Sequence, residues 1–197
     1  MKKAFSILLV FSMLVVVLPS CGWRQLSTMK DCDFKFQKVT AVTWAGIDFM
    51  KIGTDYKNID LATVAKFTKA IVNKDLALTV NLDVNAINRG SKQAELAGFD
   101  YILYYGGNKV GEGDSQNTKD ISIAGHGGSM TIPVSFKLDC RGLVDLKKPA
   151  QAVEKVVNIV KDVSKVGKED TDFSIKIRPH VRHGKKIING TYITIHD

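Results

Sequence analysis

Leu76-Ala77-Leu78-Thr79-Val80-Asn81-Leu82-Asp83-Val84-Asn85-Ala86 is the stretch on which the fold turns. Its even positions are apolar and its odd positions mostly polar, a period of two. One apolar and one wettable face is the pattern of a strand in an antiparallel sheet covered on one side. Asn88-Arg89-Gly90-Ser91 then breaks the pattern as a loop. Ala97, Phe99, Tyr101, Leu103 and Tyr105 alternate again, and Gly106-Gly107-Asn108 supplies a turn before Lys109 to Gly113. Met130, Ile132, Val134, Phe136 and Leu138 make a third such run; Pro133 on its polar side removes a ladder donor and marks an edge or a locally unpaired position.

On the N-terminal side, Phe34 to Ile52 is rich in strand formers but loses its alternation near Lys38 and holds Gly46, which predicts two strand pieces or one bulged strand. Leu61 to Asn73 places Leu61, Ala65, Thr68 and Val72 at helical spacing, with Val64, Phe67 and Ile71 alongside and Asp60 as a cap. On the C-terminal side, Pro149 to Val166 is the clearest helix. Its stripe is Val153, Val156, Val157, Val160 and Val163, with Gly167 as its stop. Phe173, Ile175, Ile177 and Val181 give a further strand, His183-Gly184-Lys185 a turn, and Ile187 to Ile195 the return of a hairpin. Many short strands and few helices predict a mainly β fold. It is a single antiparallel β-sandwich over residues 33–197 with one or two helices, one of them before the C-terminal hairpin. No internal repeat or domain linker interrupts it.

The chain begins with a different kind of segment. Lys2 and Lys3 precede the uncharged run Ala4 to Leu18, and Leu18-Pro19-Ser20-Cys21 follows. A basic start, an apolar stretch and a small residue before a cut site read as a secretory signal over residues 1–20. The run is shorter than the roughly 20 residues that cross a bilayer. The tetrad resembles a bacterial lipobox, which implies that Cys21 is diacylated through sulfur and becomes the mature N-terminus. Residues 21–32 then read as a lipidated tether, with Gly22 to Asp31 polar and irregular. Removal of the signal leaves a mature charge of +6, of which +5 lies in residues 141–197. The basic excess is therefore regional, and with export it argues against nucleic acid as a partner.

The ordered set of features resembles a known family. It comprises the strand and Asn-containing loop, Gly98-Phe99-Asp100-Tyr101, the turn Gly107-Asn108-Lys109-Val110-Gly111-Glu112-Gly113, Ile121 to Ala124 with a Gly-rich turn, Ser129 to Leu138, a helix and a terminal hairpin. This is similar to the late embryogenesis abundant type 2 domain, also called the water-stress and hypersensitive-response domain, in its bacterial lipoprotein form. Where members of that family often carry Asn-Pro-Asn, this chain has Asn88-Arg89-Gly90. The resemblance implies a fibronectin type III-like sandwich of two antiparallel sheets with a helix before the last hairpin. It implies no catalytic residues, and suggests stress-protective, structural or lipid-handling roles.

Motifs for chemistry are sparse. His180 and His183 stand three apart on a strand and so point to opposite faces; with His126 and His196 they read as solvated histidines, not as metal ligands. The Gly-rich stretches 106–113 and 125–128 lack a phosphate-binding signature, and no Gly-x-Ser-x-Gly elbow occurs. No cofactor is implied and no enzyme is expected. Cys32 and Cys140 share inward parity with Phe34 and Phe36 and with Phe136 and Leu138. They either bridge or stay as two buried thiols. Lys176, Arg178, His180 and Arg182 occupy one polar strand face, with Lys185 and Lys186 in the turn. They form either a stripe that meets lipid phosphates or a solvated β face. Lys147, Lys148, Lys155, Lys161, Lys165 and Lys168 read as the wet side of the valine helix.

Two functions compete at this point. The first is a non-enzymatic structural or binding lipoprotein of a Gram-negative envelope, whose partners are the membrane through Cys21 and an anionic lipid or an envelope protein. Gly22-Trp23-Arg24 carries no acidic run, which favours the periplasmic side of the outer membrane. The second is a module that binds or transfers an apolar ligand, with Phe67, Ile71, Val156 and Val160 as walls of a groove. A filled core favours the first and a continuous cavity the second.

Overall fold

The alternating stretch becomes the inner strand of one sheet. The computed structural model describes residues 28–52, 59–183 and 185–195. In chain order its elements are β1 (Cys32–Trp44), β2 (Ile47–Asp48), α1 (Phe49–Ile52), α2 (Leu61–Val72), β3 (Ala77–Asn88), β4 (Ala94–Tyr105), β5 (Asn108–Ile123), β6 (Gly128–Asp139), a 3-10 turn at Arg141–Leu143, α3 (Pro149–Val163), β7 (Phe173–His183), β8 (Lys186–Asn189) and β9 (Ile193–Ile195). The first sheet runs β2-β1-β3-β6 and the second β5-β4-β7-β8, with β9 pairing β7 as well; every pairing is antiparallel. This is the predicted β-sandwich with helices.

Parity decides what fills it. Leu78, Val80, Leu82, Val84 and Ala86 of β3 are all buried, and so are Ile132, Val134, Phe136 and Leu138 of β6. Across the gap the first sheet meets β4 and β7, with Tyr101 edge-on to Phe136 at 4.7 Å and Phe36 of β1 at 6.1 Å from Phe173. Pro133 is exposed on β6, which forms an edge of its sheet, so its missing donor costs no ladder bond. β1 is the bulged strand expected, with register shifts between Phe36 and Lys38 and between Val39 and Ala41. The chain after β2 turns into α1, which the strand reading of Ile52 did not foresee.

β5 is longer than expected. Lys109 to Gly113 and Ile121 to Ile123 belong to one strand, whose residue opposite β4 jumps from Ile121 to Gln116 as β4 advances from Leu96 to Gly98. An edge strand held by ladder hydrogen bonds to an apolar neighbour needs little alternation of its own, so the pattern hid it.

The helices close one end of the sandwich, called here the helical end. α2 packs against α3, and Phe67 of α2 lies between Trp44 and Phe49, with ring centroids at 4.6 and 5.1 Å. The buried face of α2 is Thr63, Phe67, Ala70 and Ile71, whereas Leu61 and Val72 of the expected stripe are 84% and 66% exposed. The aromatic stack pins Phe67 inward and thereby sets the helix rotation. Asp60 caps α2 as predicted, its carboxylate accepting from Thr63 N at 2.9 Å. In α3, Val153, Val156, Val157, Val160 and Val163 are all fully buried. Each β-branched residue costs up to about 0.7 kcal/mol in helix propensity. Burying each contributes about 1.5 kcal/mol or more, so packing outweighs propensity. Gly167, at φ 80°, lets the chain cross to β7 against the β1 bulge; a Cβ there would sit 2.8 Å from the Gln37 carbonyl oxygen.

The opposite end is where the chain enters. Met29 is in the core and Cys32 faces Asn88 across the β1–β3 ladder. The folded part therefore takes in residues that the sequence assigns to the tether. The lipobox, Cys21 and His196 lie outside the described residues.

Candidate functional site

The expected basic stripe on β7 is the natural place to look for a site, and the register changes its meaning. β7 pairs with β4 so that Lys176, Arg178 and His180 stand opposite Ile102, Asp100 and Gly98. Asp100 is the residue that sequence reasoning missed. Arg178 donates to its carboxylate from Nε at 2.6 Å and again from its terminal amine, and His180 Nε2 lies 3.2 Å from the other oxygen. That His180 nitrogen is buried and has no aligned acceptor, so it lies beside the carboxylate without forming a hydrogen bond to it. The Arg178 guanidinium also covers the Tyr192 ring at 5.2 Å, and Lys176 covers Tyr104 at 5.2 Å. His180 is thus buried, not solvated, and the middle of the stripe is neutralised within the protein. Arg182, Lys185 and Lys186 remain exposed at the hairpin tip.

Burial pushes the Asp100 carboxyl up, but the hydrogen bonds and charge of Arg178, with the His180 ring alongside, outweigh it and hold the carboxyl below the usual 3.8. A depressed folded pKa adds stability that is present above the unfolded value and is lost as pH falls through the folded one. Asp100→Asn is therefore expected to be less stable than the parent near about pH 5, and the gap to close as pH falls below about 4. Urea midpoints across that range check this; a gap that does not change with pH would show that Asp100 acts through shape alone.

The cysteines resolve into the second of the two readings. Both are buried and neither is bridged. Cys32 pairs with Asn88 at one end of β3, while the Cys140 amide donates to Leu76 O just before the other end. Twelve steps of strand separate those positions, roughly 40 Å at about 3.3 Å each, so a bridge is geometrically excluded. Burial, with nearby aspartates adding to it, pushes the Cys32 thiol up to about 11 and Cys140 to about 12, which keeps both protonated and unreactive. Among the described residues no three His, Cys, Asp or Glu side chains are grouped to hold a metal ion.

The walls of the expected apolar groove are core. Phe67, Ile71, Val156 and Val160 are at most 1% exposed and pack on one another and on the sheets. A separate cleft between the sheets is lined by Phe34, Leu96, Phe99, Ile132, Ile175 and Ile195 among others, but holds only about 20 Å³ of space. That is room for about one water and none for an acyl chain. A wider groove of about 400 Å³ runs past Lys109, Val110, Glu112, Asp139 and Leu143. Its charges are matched locally: Lys109 pairs with Glu112 at 2.7 Å, and Asp139 with Arg141. The lysines of α3 lie on its wet side as expected, with Lys165 bonded to Glu169. On its inner side Asp162 accepts from the Tyr105 hydroxyl, whose proton burial and that carboxylate hold firmly in place.

No family model matches the chain, and no curated protein matches it. Solved structures do. One is a protein from Archaeoglobus fulgidus, 15% identical with a TM-score of 0.35, over 61% of this chain and 82% of that one. A putative late embryogenesis abundant protein is also among them. It is 14% identical with a TM-score of 0.35, over 99% of this chain and 87% of that one. The putative ApaA protein from Bordetella pertussis is 9% identical with a TM-score of 0.31, over 62% of this chain and 80% of that one. At such TM-scores these likenesses decide neither family nor role.

Proposed function

We propose that the chain is a non-enzymatic structural or binding module of the late embryogenesis abundant type 2 kind, carried on the periplasmic side of an outer membrane by a lipidated Cys21. The observation that carries the reading is the filled interior. The cleft between the sheets holds about 20 Å³, and in the polar cluster Asp100 is taken up by Arg178, with His180 Nε2 3.2 Å from its other oxygen. A molecule of this build offers surfaces, not a reaction chamber. The lipobox supports the anchoring: several acyl chains on one cysteine, at roughly 0.8 kcal/mol per buried CH₂, hold a protein without a spanning helix. Among the described residues no helix is long and apolar enough to cross a membrane.

The competing reading, an apolar-ligand module, draws on the cleft lined by Phe34, Leu96, Phe99 and Ile195, which would have to open to admit a chain. Native mass spectrometry with lipid extraction on the chain purified from membranes separates the two. The expected result is one species whose only lipid is the covalent adduct at Cys21. A second, noncovalent lipid at near-stoichiometric amount would overturn the structural reading in favour of transport or sensing.

A further inference from the structure

The positive charge of this molecule is sorted by end. At the end where the chain enters, the turn Thr28 to Asp31 is held by Arg89, whose amide donates to Asp31 O at 2.9 Å. The Gly-rich turn joins it there, with the His126 amide donating to Gly90 O and the Gly127 amide to Asn88 O. The β4–β7 ladder, with Gly98 opposite His180, carries the β7–β8 tip to the same end, where His183 faces Lys186. Lys30, Lys92, Lys185 and Lys186 are thus brought together from three places in the chain, with Arg89 and Arg182 beside them, and all six are exposed.

Among the described residues, carboxylates do not cancel the four lysines. Among the described side chains this end holds Asp31, Asp33 and Glu95, and Asp33 is already engaged by Arg89. No ion pair is found there for Lys30, Lys92, Lys185 or Lys186 among the described residues. The helical end differs. Among the described residues of segments 48–75 and 139–172, which build it, eleven Lys and Arg side chains stand against ten Asp and Glu, so its field is close to neutral. Sequence order suggested that the basic excess belongs to the C-terminal third; folding moves the uncompensated part of it to the entry end.

The length of chain leading to that end decides what it faces. Seven residue steps separate Cys21 from Thr28, a reach of at most roughly 25 Å however they are arranged. If Cys21 is lipidated, as the proposed function has it, the basic end cannot withdraw far from the headgroups. One acyl anchor combined with a cationic patch is the two-signal arrangement that makes membrane attachment firm.

We propose that this basic end is a second membrane contact, in which Lys30, Lys92, Lys185 and Lys186 meet the phosphates of an anionic bilayer surface and stand the sandwich on end with its helices pointing away. The outer faces of β4 and β7, where Lys176 and Arg178 are taken up by Tyr104 and Asp100, stay clear of the lipid.

Amine footprinting of the full chain, purified from membranes and reconstituted into vesicles, tests this. Each cation near an anionic surface strengthens attachment about fivefold. On vesicles of equal parts phosphatidylglycerol and phosphatidylcholine, Lys30, Lys92, Lys185 and Lys186 are expected to acetylate at least fivefold more slowly than on phosphatidylcholine alone. Lys155 and Lys161 are expected to be unchanged, and the protection to vanish in about 1 M salt, where the Debye length is about 3 Å. Equal rates on both vesicles, or protection greatest on the helices, would overturn the proposal. Protection that appears only when other envelope proteins are added would assign the end to an acidic protein instead. The intact mass of the same sample reports separately whether Cys21 is acylated. Should it not be, flotation of that chain with phosphatidylglycerol vesicles still tests the basic end: a salt-sensitive association is expected, weakened at least twentyfold by K30S/K92S/K185S/K186S, and no weakening overturns it.

Discussion

Phe67→Ala is expected to lower stability by about 4 kcal/mol, a fall in Tm of roughly 8–16 °C for a domain of this size. Phe67 is fully buried and its ring is stacked nearly parallel between Trp44 and Phe49, at interplanar angles of 7° and 9°. Truncation removes the transfer energy of the ring, leaves a cavity that two flat neighbours cannot fill, and breaks two aromatic contacts of about 0.5–1.5 kcal/mol each. Few other groups hold α2 down, because only Thr63, Ala70 and Ile71 accompany Phe67 on its buried face. The indole of Trp44, which donates to Asp75 O at 2.8 Å, would gain access to water. In a Trp23→Phe background, urea unfolding followed by Trp44 fluorescence reads both effects, as a lower midpoint and a red-shifted native spectrum. Leu61→Ser, on the exposed side of the same helix, is the control and is expected to change stability by less than about 0.5 kcal/mol. A loss below about 1.5 kcal/mol for Phe67→Ala would mean that α2 is not anchored by this stack.

The same helix shows where reading the sequence stops. Periodicity located α2 and its Asp60 cap, yet the run from Leu61 to Val72 carries apolar residues around most of its circumference, and period alone cannot choose between overlapping stripes. The choice comes from Trp44 and Phe49, which lie in other elements. β3, β4 and β6 were legible because one face is wet and the other dry, whereas β5 was not because its register is imposed by β4. The candidate site follows the same division. Lys176, Arg178 and His180 were correctly placed on one face, but whether that face is charged depends on Asp100, which is brought opposite only by the β4–β7 register. The outward parity of Asp100 in the run Ala97 to Tyr105 was visible; its partner was not. Cys32 and Cys140 likewise had the right parity and the wrong ends, since parity says which face a residue occupies and nothing about its position along the strand.

Asn88→Ala is expected to cost about 3 kcal/mol, more than the replacement of any exposed polar residue in the chain. Asn88 is fully buried at the last position of β3, and its side-chain amide donates to Lys92 O at 2.7 Å and to Ile123 O at 3.1 Å. Its side-chain oxygen accepts from the Gly90 amide at 3.0 Å. One residue of the first sheet thereby holds the loop that leads to the second sheet and the last residue of β5 within it. Alanine removes both donors and the acceptor together, leaving two carbonyl oxygens and an N–H short of partners, at about 1–3 kcal/mol for each that water cannot reach. Asn88→Asp is not a rescue, because it points a carboxylate at two carbonyl oxygens and loses the donors as well. Gly90 fits beside Asp31, where a Cβ would lie 2.8 Å from the carboxylate oxygen, and the side chain of Asn88 supplies the rigidity. Amide exchange at Gly90, His126 and Gly127 is expected to accelerate in Asn88→Ala beyond what the global loss explains, because these amides sit on the turn that Asn88 organises. Acceleration that merely follows global stability would make Asn88 a packing residue. Local loosening would also scatter Arg89 and Lys92, so the same variant is expected to weaken the salt-sensitive protection of the entry end on anionic vesicles while leaving the acyl anchor intact.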